Sequence, residues 1–72
     1  MTYFIVTPDD RAIDIIHAGG PKIQISSSHA MTFSTPEEAE RKLFYIHTHL
    51  LGKDRRAKTL RISTYAKGWM TK

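Results

Sequence analysis

Thr35-Pro36-Glu37-Glu38-Ala39-Glu40-Arg41-Lys42-Leu43-Phe44-Tyr45-Ile46-His47-Thr48-His49-Leu50-Leu51-Gly52 is the stretch that decides the fold, because the start, faces and stop of one helix can be read from it. Thr35 is an N-cap, Pro36 takes the first helical position, where a missing N–H costs nothing, and Glu38 stands at the third to complete a capping box. Glu37 and Glu38 also face the positive end of the helix dipole. Glu37/Arg41 and Glu38/Lys42 are i,i+4 pairs in the favourable order, each worth ~0.2–0.5 kcal/mol. Gly52 after Leu51 is the expected C-terminal stop. The spacing therefore predicts a helix over residues 36–51.

At about 100° per residue, Ala39, Leu43, Ile46 and Leu50 form one stripe, the face expected on a sheet. Phe44, His47 and Leu51 form a second stripe beside it, while Arg41, Tyr45 and Thr48 point away. The apolar arc is wider than a half-buried helix needs. Either a later strand or the C-terminal tail covers the flank, or an oligomer or partner does.

Working outward, the residues before the helix read as three short strands. Thr2 to Thr7 is β-branched and aromatic, and Pro8-Asp9-Asp10 ends it with a turn, proline fixing φ and the aspartates capping. Arg11 to His17 alternates, with Ile13 and Ile15 on one side and Asp14 on the other, until Ile16 breaks the pattern and suggests partial cover on both faces. Gly19-Gly20-Pro21 is a second turn. Lys22 to Ser26 then alternates, with Ile23 and Ile25 inward and Lys22, Gln24 and Ser26 outward. An antiparallel meander is expected. After the helix, Lys53 to Lys58 is a basic loop and Thr59 to Tyr65 a fourth strand. Leu60, Ile62 and Thr64 should line one face of it, with Arg61, Ser63 and Tyr65 on the other. The expected fold class is α+β: a small antiparallel sheet in β-β-β-α-β order with one amphipathic helix packed on one face.

The 72 residues suffice for one domain, spanning 1–72. A chain of this size buries only about 60% of its unfolded surface. There is no cysteine, which excludes disulfides and thiolate metal sites and fits a reducing cytoplasm. No stretch approaches the ~18–20 apolar residues of a membrane span, and the apolar start is too short and lacks the basic flank of a signal peptide. A cytoplasmic location without a membrane partner is therefore expected.

Charge is unevenly distributed. Residues 1–52 carry four Lys or Arg against six acids, while residues 53–72 carry seven against one, for a net +4 overall. A basic C-terminal third on a mildly acidic body suggests a polyanionic partner, either nucleic acid or an acidic protein surface.

Few residues suggest catalysis. His47 and His49 are separated by two positions, which on a helix turns their side chains about 200° apart, whereas a helical metal pair needs i,i+4 spacing. His47 is expected at the edge of the core and His49 in solvent. Asp9, Asp10 and Asp14 read as turn and strand residues rather than an acid/base pair in a cleft. Ser26-Ser27-Ser28 lacks a nucleophile-elbow context. Gly19-Gly20-Pro21-Lys22 lacks P-loop spacing, and its proline removes an N–H that a phosphate cradle needs. No enzyme, metal or cofactor is expected. The run Phe33 to Ala39 resembles the helix start of many small bacterial and phage accessory proteins, a capping signal shared by unrelated folds that brings no function with it.

The remaining candidate is the basic set. Lys53, Arg55, Arg56, Lys58 and Arg61 would neutralise phosphates, and Tyr65 or Trp69 would stack on a base. Lys22 and Gln24 join them if their strand lies beside the last one. The expected function is that of a small accessory or regulatory protein, of phage, plasmid or bacterial type, that binds DNA or RNA. The alternative is a protein-binding module, inhibitor or homodimer. In that case Phe44, Leu51, Trp69 and Met70 form an apolar patch, and the cationic loop grips an acidic partner.

Overall fold

The computed structural model describes residues 1–17, 19–25 and 30–68. Its element order is β1 (Phe4–Val6), β2 (Ile13–Ile16), β3 (Lys22–Ile25), α1 (Pro36–Leu50), a 3-10 helix (Arg55–Thr59) and β4 (Arg61–Ser63). The class is α+β, with four strands in two antiparallel ribbons and one α-helix.

The helix begins where its cap chemistry directs. Thr35 is extended (φ −132°, ψ 153°) and its hydroxyl oxygen accepts the Glu38 N–H at 3.2 Å. The Glu38 carboxylate reaches back to the N–H of Ser34 at 3.1 Å, one residue before the cap itself. The other end differs from the expectation. Leu51 still has right-handed helical angles (φ −59°, ψ −37°), and Gly52 does not adopt the left-handed conformation of a glycine stop. Instead the N–H groups of Lys53 and Asp54 both close on the Leu50 carbonyl, at 2.9 and 2.8 Å. Asp54 then turns extended and caps the 3-10 helix, accepting the Arg56 N–H at 3.0 Å.

Strand pairing is a second departure. A three-strand meander was expected, but β1 pairs with β4, setting Phe4 opposite Ser63, Ile5 opposite Ile62 and Val6 opposite Arg61. The β2–β3 hairpin forms as read, with Ile13 opposite Ile25 and Ile16 opposite Lys22. Among the described residues, β1 is bridged to β2 only by the isolated pair Val6–Ala12. The cause lies in the intervening turn. Thr7 donates its N–H to Arg11 and accepts from Asp10, both at 2.9 Å, and Asp10 takes a left-handed φ of 67°. This compact loop ends the ladder after one bridge.

Ile5 of β1 lies in one core cluster with Ile13, Ile15, Ile23, Ile46, Leu50, Ala57 and Leu60. Phe4 and Val6 lie in the other, with Ala12, Ala30 and Ala66. A strand buried on both faces reads as continuous apolar sequence, as Phe4-Ile5-Val6 does. Burying each large aliphatic in the first cluster stabilises the fold by about 1.5–3 kcal/mol. Two isoleucines depart from their expected places: Ile16, expected to gain cover, and Ile25, expected inward, are both exposed at the ends of the hairpin. Thr64, expected on the inner face of the last strand, is exposed beyond the end of β4. Among the described residues, no helix is long and apolar enough to cross a membrane.

Candidate nucleic-acid interface

The basic loop between α1 and β4 is ordered by its own composition. Three residues per turn in a 3-10 helix put side chains i and i+3 in line. Arg55 and Lys58 therefore share one face, while Ala57 is fully buried. His47 anchors the segment: its Nε2–H donates to the Ala57 carbonyl at 3.0 Å, which fixes the tautomer with that proton in place. His49 does something different, lying exposed with its ring centroid 4.4 Å from that of Tyr45. The two histidines have separate partners, and among the described residues no three His, Asp or Glu side chains converge on a metal position.

Arg56 lies along the surface with its guanidinium engaged. Its Nε and Nη2 donate to the two carboxylate oxygens of Asp54 at 3.1 and 2.9 Å, and Nη2 also donates to the Ile23 carbonyl at 2.9 Å. The hydrogen bonds from Arg56 hold the Asp54 carboxyl below the usual aspartate range, and Asp54 in turn raises the Arg56 pKa. Arg61 likewise pairs with Asp10 in the turn after β1. Neighbouring Asp9 accepts the Thr7 hydroxyl and lies 3.3 Å from Arg11. The Thr7 hydrogen bond is the main cause holding its pKa below the ordinary value, against some desolvation, with smaller help from a backbone hydrogen bond and from the nearby charges of Arg11 and Lys67. Asp14 accepts the Ile15 N–H at 2.7 Å. Asp9, Asp10 and Asp14, read as turn and strand residues, thus all have structural partners.

The six residues expected at a nucleic-acid site therefore divide. Lys53, Arg55 and Lys58 are exposed, and their side chains have no hydrogen bond or ion pair among the described residues. Arg56 and Arg61 are half-exposed but already paired, with Asp54 and Asp10. Tyr65 is exposed but sits two residues past the end of β4, so it does not share a strand face with Arg61 as expected. Lys22 comes beside Lys53, both lining a small pocket of about 240 Å³ with Leu50 and the Gly19-Gly20 turn.

Of the apolar set, Phe44 is 72% exposed and Leu51 48% exposed. No described strand or tail segment buries that flank. Trp69 and Met70 lie outside the described residues, as do Ser26, Ser27, Ser28 and His29. Tyr45, expected to point away from the core, is instead half-buried and packs on the core with Phe33, the Lys42 ammonium 4.7 Å from its ring centroid. Phe33 and Tyr45 together with Arg41 and Lys42 line an open groove of about 530 Å³. The sequence reading missed this groove, since Phe33 reaches it through the Tyr3–Phe33 bridge, a pairing with no local signature.

Comparison with protein-family models, with curated proteins and with solved structures found no match for this chain.

Proposed function

We propose that the chain is a non-enzymatic nucleic-acid-binding protein that meets phosphates with Lys53, Arg55 and Lys58. The observation that supports this reading is the division of labour in the loop. Arg56 is used to hold the loop in place, and the three remaining cations stand on it without an internal counter-charge among the described residues. Cations on an already ordered loop meet a phosphate without the backbone ordering that cations on a free tail require. Three such contacts make a modest, sequence-tolerant footprint, because phosphate contacts position a protein but carry no base information. An accessory role in a phage, plasmid or bacterial cytoplasm accords with this small, cysteine-free chain. Fluorescence anisotropy with labelled DNA and RNA tests the reading. The combined Lys53→Ala, Arg55→Ala, Lys58→Ala variant should lose binding to all sequences alike. Unchanged binding would refute it.

A second reading rests on Phe44 and Leu51, one helical stripe left open to solvent at the same end of α1 as the basic loop. In that reading the stripe packs on a protein partner or a second copy of the chain, and the cationic loop grips an acidic surface of that partner. Its binding would survive high salt and disappear on Phe44→Ala, with the triple substitution mainly slowing association. Sedimentation of wild type and Phe44→Ala separates a homodimer from a monomer.

A further inference from the structure

The groove between α1 and the segment ahead of it has a chemistry distinct from the basic loop. Its walls are two half-buried aromatics, Phe33 and Tyr45, and two cations, Arg41 and Lys42, with Thr32, Ser34 and Glu38 completing the lining. Its volume of about 530 Å³ lies inside the ~300–1,000 Å³ range of small-ligand sites. Arg41 has no hydrogen bond or ion pair among the described residues. The Lys42 ammonium interacts with the Tyr45 ring and has no carboxylate partner among the described residues. The single acid in the wall, Glu38, has one carboxylate oxygen on the Ser34 N–H and sits in the first helical turn. We propose that this groove binds a nucleoside monophosphate unit, the base against Phe33 and Tyr45 and the phosphate on Arg41 and Lys42.

The positions suit that ligand in three ways. A planar base needs an apolar, aromatic floor, and Phe33 and Tyr45 are held in place by packing on the core cluster, so neither has to be ordered on binding. A phosphate needs donors without a prior claim, which Arg41 supplies at once. Lys42 supplies the second by leaving the Tyr45 ring, a single cation–π contact being weak enough to trade for a charge-assisted hydrogen bond. Its departure frees the Tyr45 ring for the base, while His49 keeps its own contact with that ring. The unit is either a free mononucleotide or one residue of a strand. In the second case the groove adds the base contact that the phosphate reading above lacks, and this part of the inference rests on that reading.

The test is amide NMR on the whole chain, titrated at constant ionic strength with adenosine monophosphate, adenosine, inorganic phosphate and an eight-nucleotide single strand. Adenosine monophosphate should give saturable shifts at Thr32 to Ser34, Arg41, Lys42 and Tyr45, about tenfold tighter than adenosine or phosphate alone, the size of one added charged contact. Tyr45→Leu should reduce its binding to the phosphate level, and Arg41→Gln with Lys42→Gln to the adenosine level. Neither change touches a fully buried side chain, and unchanged shifts elsewhere certify the fold. Groove shifts with the strand but not the mononucleotide assign the unit to a strand; the reverse assigns it to a free nucleotide. If neither moves the groove amides, the inference is overturned, even where strand binding that depends on Lys53, Arg55 and Lys58 persists. If the mononucleotide fills the groove while the triple variant binds strands like wild type, the groove stands and the phosphate reading falls.

Discussion

The Arg56 guanidinium donates to the carbonyl oxygen of Ile23 at 2.9 Å, across 33 residues of sequence. This contact ties the loop after α1 to β3 of the hairpin, two parts of the chain that share no ladder. Asp54 completes the clamp by holding the other edge of the same guanidinium and capping the 3-10 helix with the same carboxylate. Arginine suits this place because its planar fork serves a carboxylate and a carbonyl together, which a lysine ammonium does less well.

Arg56→Lys should therefore behave like Arg56→Ala. Each should destabilise the fold by about 1 kcal/mol, the usual worth of a half-exposed charged hydrogen bond. Chemical denaturation measures the loss, and amide exchange should accelerate at Arg55 to Lys58 in both variants. Full retention of stability in Arg56→Lys would show that the fork geometry is immaterial.

The clamp also gives the protein an acid limb. Because the folded Asp54 carboxyl is held below its ordinary value by Arg56, the unfolded chain takes up the proton first as pH falls. The stabilisation is fully present above the unfolded value of about 3.9 and is lost as pH falls below it towards the folded value. Asp54→Asn should be less stable than wild type at pH 7, and the difference should shrink below about pH 4. Thermal melts between neutral and acid pH read this directly. A constant difference across the range would contradict it.

The helix face should split by burial. Ile46 is fully buried, Leu43 only partly, and Phe44 is mostly exposed. Ile46→Ala should cost about 2–5 kcal/mol and Leu43→Ala less, while Phe44→Ala should stay within about 0.5 kcal/mol. Equal losses at Ile46 and Phe44 would mean that the flank is buried in solution, as in a homodimer.

At the cap, Thr35→Ala should cost about 1 kcal/mol, and Thr35→Ser should recover most of it, since a hydroxyl on the Glu38 N–H is all the position requires. Urea titration of the two variants distinguishes the cap from a packing role for the threonine methyl.

The helix and the β2–β3 hairpin were legible in the sequence because their signals are local: a capping box, a 3.6-residue stripe, period-2 alternation and a Gly-Gly-Pro turn. The β1–β4 pairing was not, since it joins strands whose partners are nearly 60 residues apart and depends on the Asp10 turn ending the ladder with β2. At the basic site, residue type revealed the charge but not its disposition. Nothing in Lys53-Asp54-Arg55-Arg56 marks which arginine is engaged, because the deciding acceptor is a backbone carbonyl on another strand. Tyr45 was misplaced for a related reason: the helix wheel turned it outward, yet Phe33, packed on the core beside it, gives that side an apolar wall.

The salt dependence of nucleic-acid binding tests the central claim most directly. Each phosphate met by a cation releases counterions, so three contacts give a slope of log K against log[salt] of about −2.7 on duplex DNA and about −2.1 on single strands. The account predicts a slope in that range for wild type, no change for Arg61→Ala, whose charge is already paired with Asp10, and a near-flat line for the combined Lys53, Arg55 and Lys58 alanine variant. No binding at low salt by the folded chain, or the same slope in the triple variant as in wild type, would contradict it.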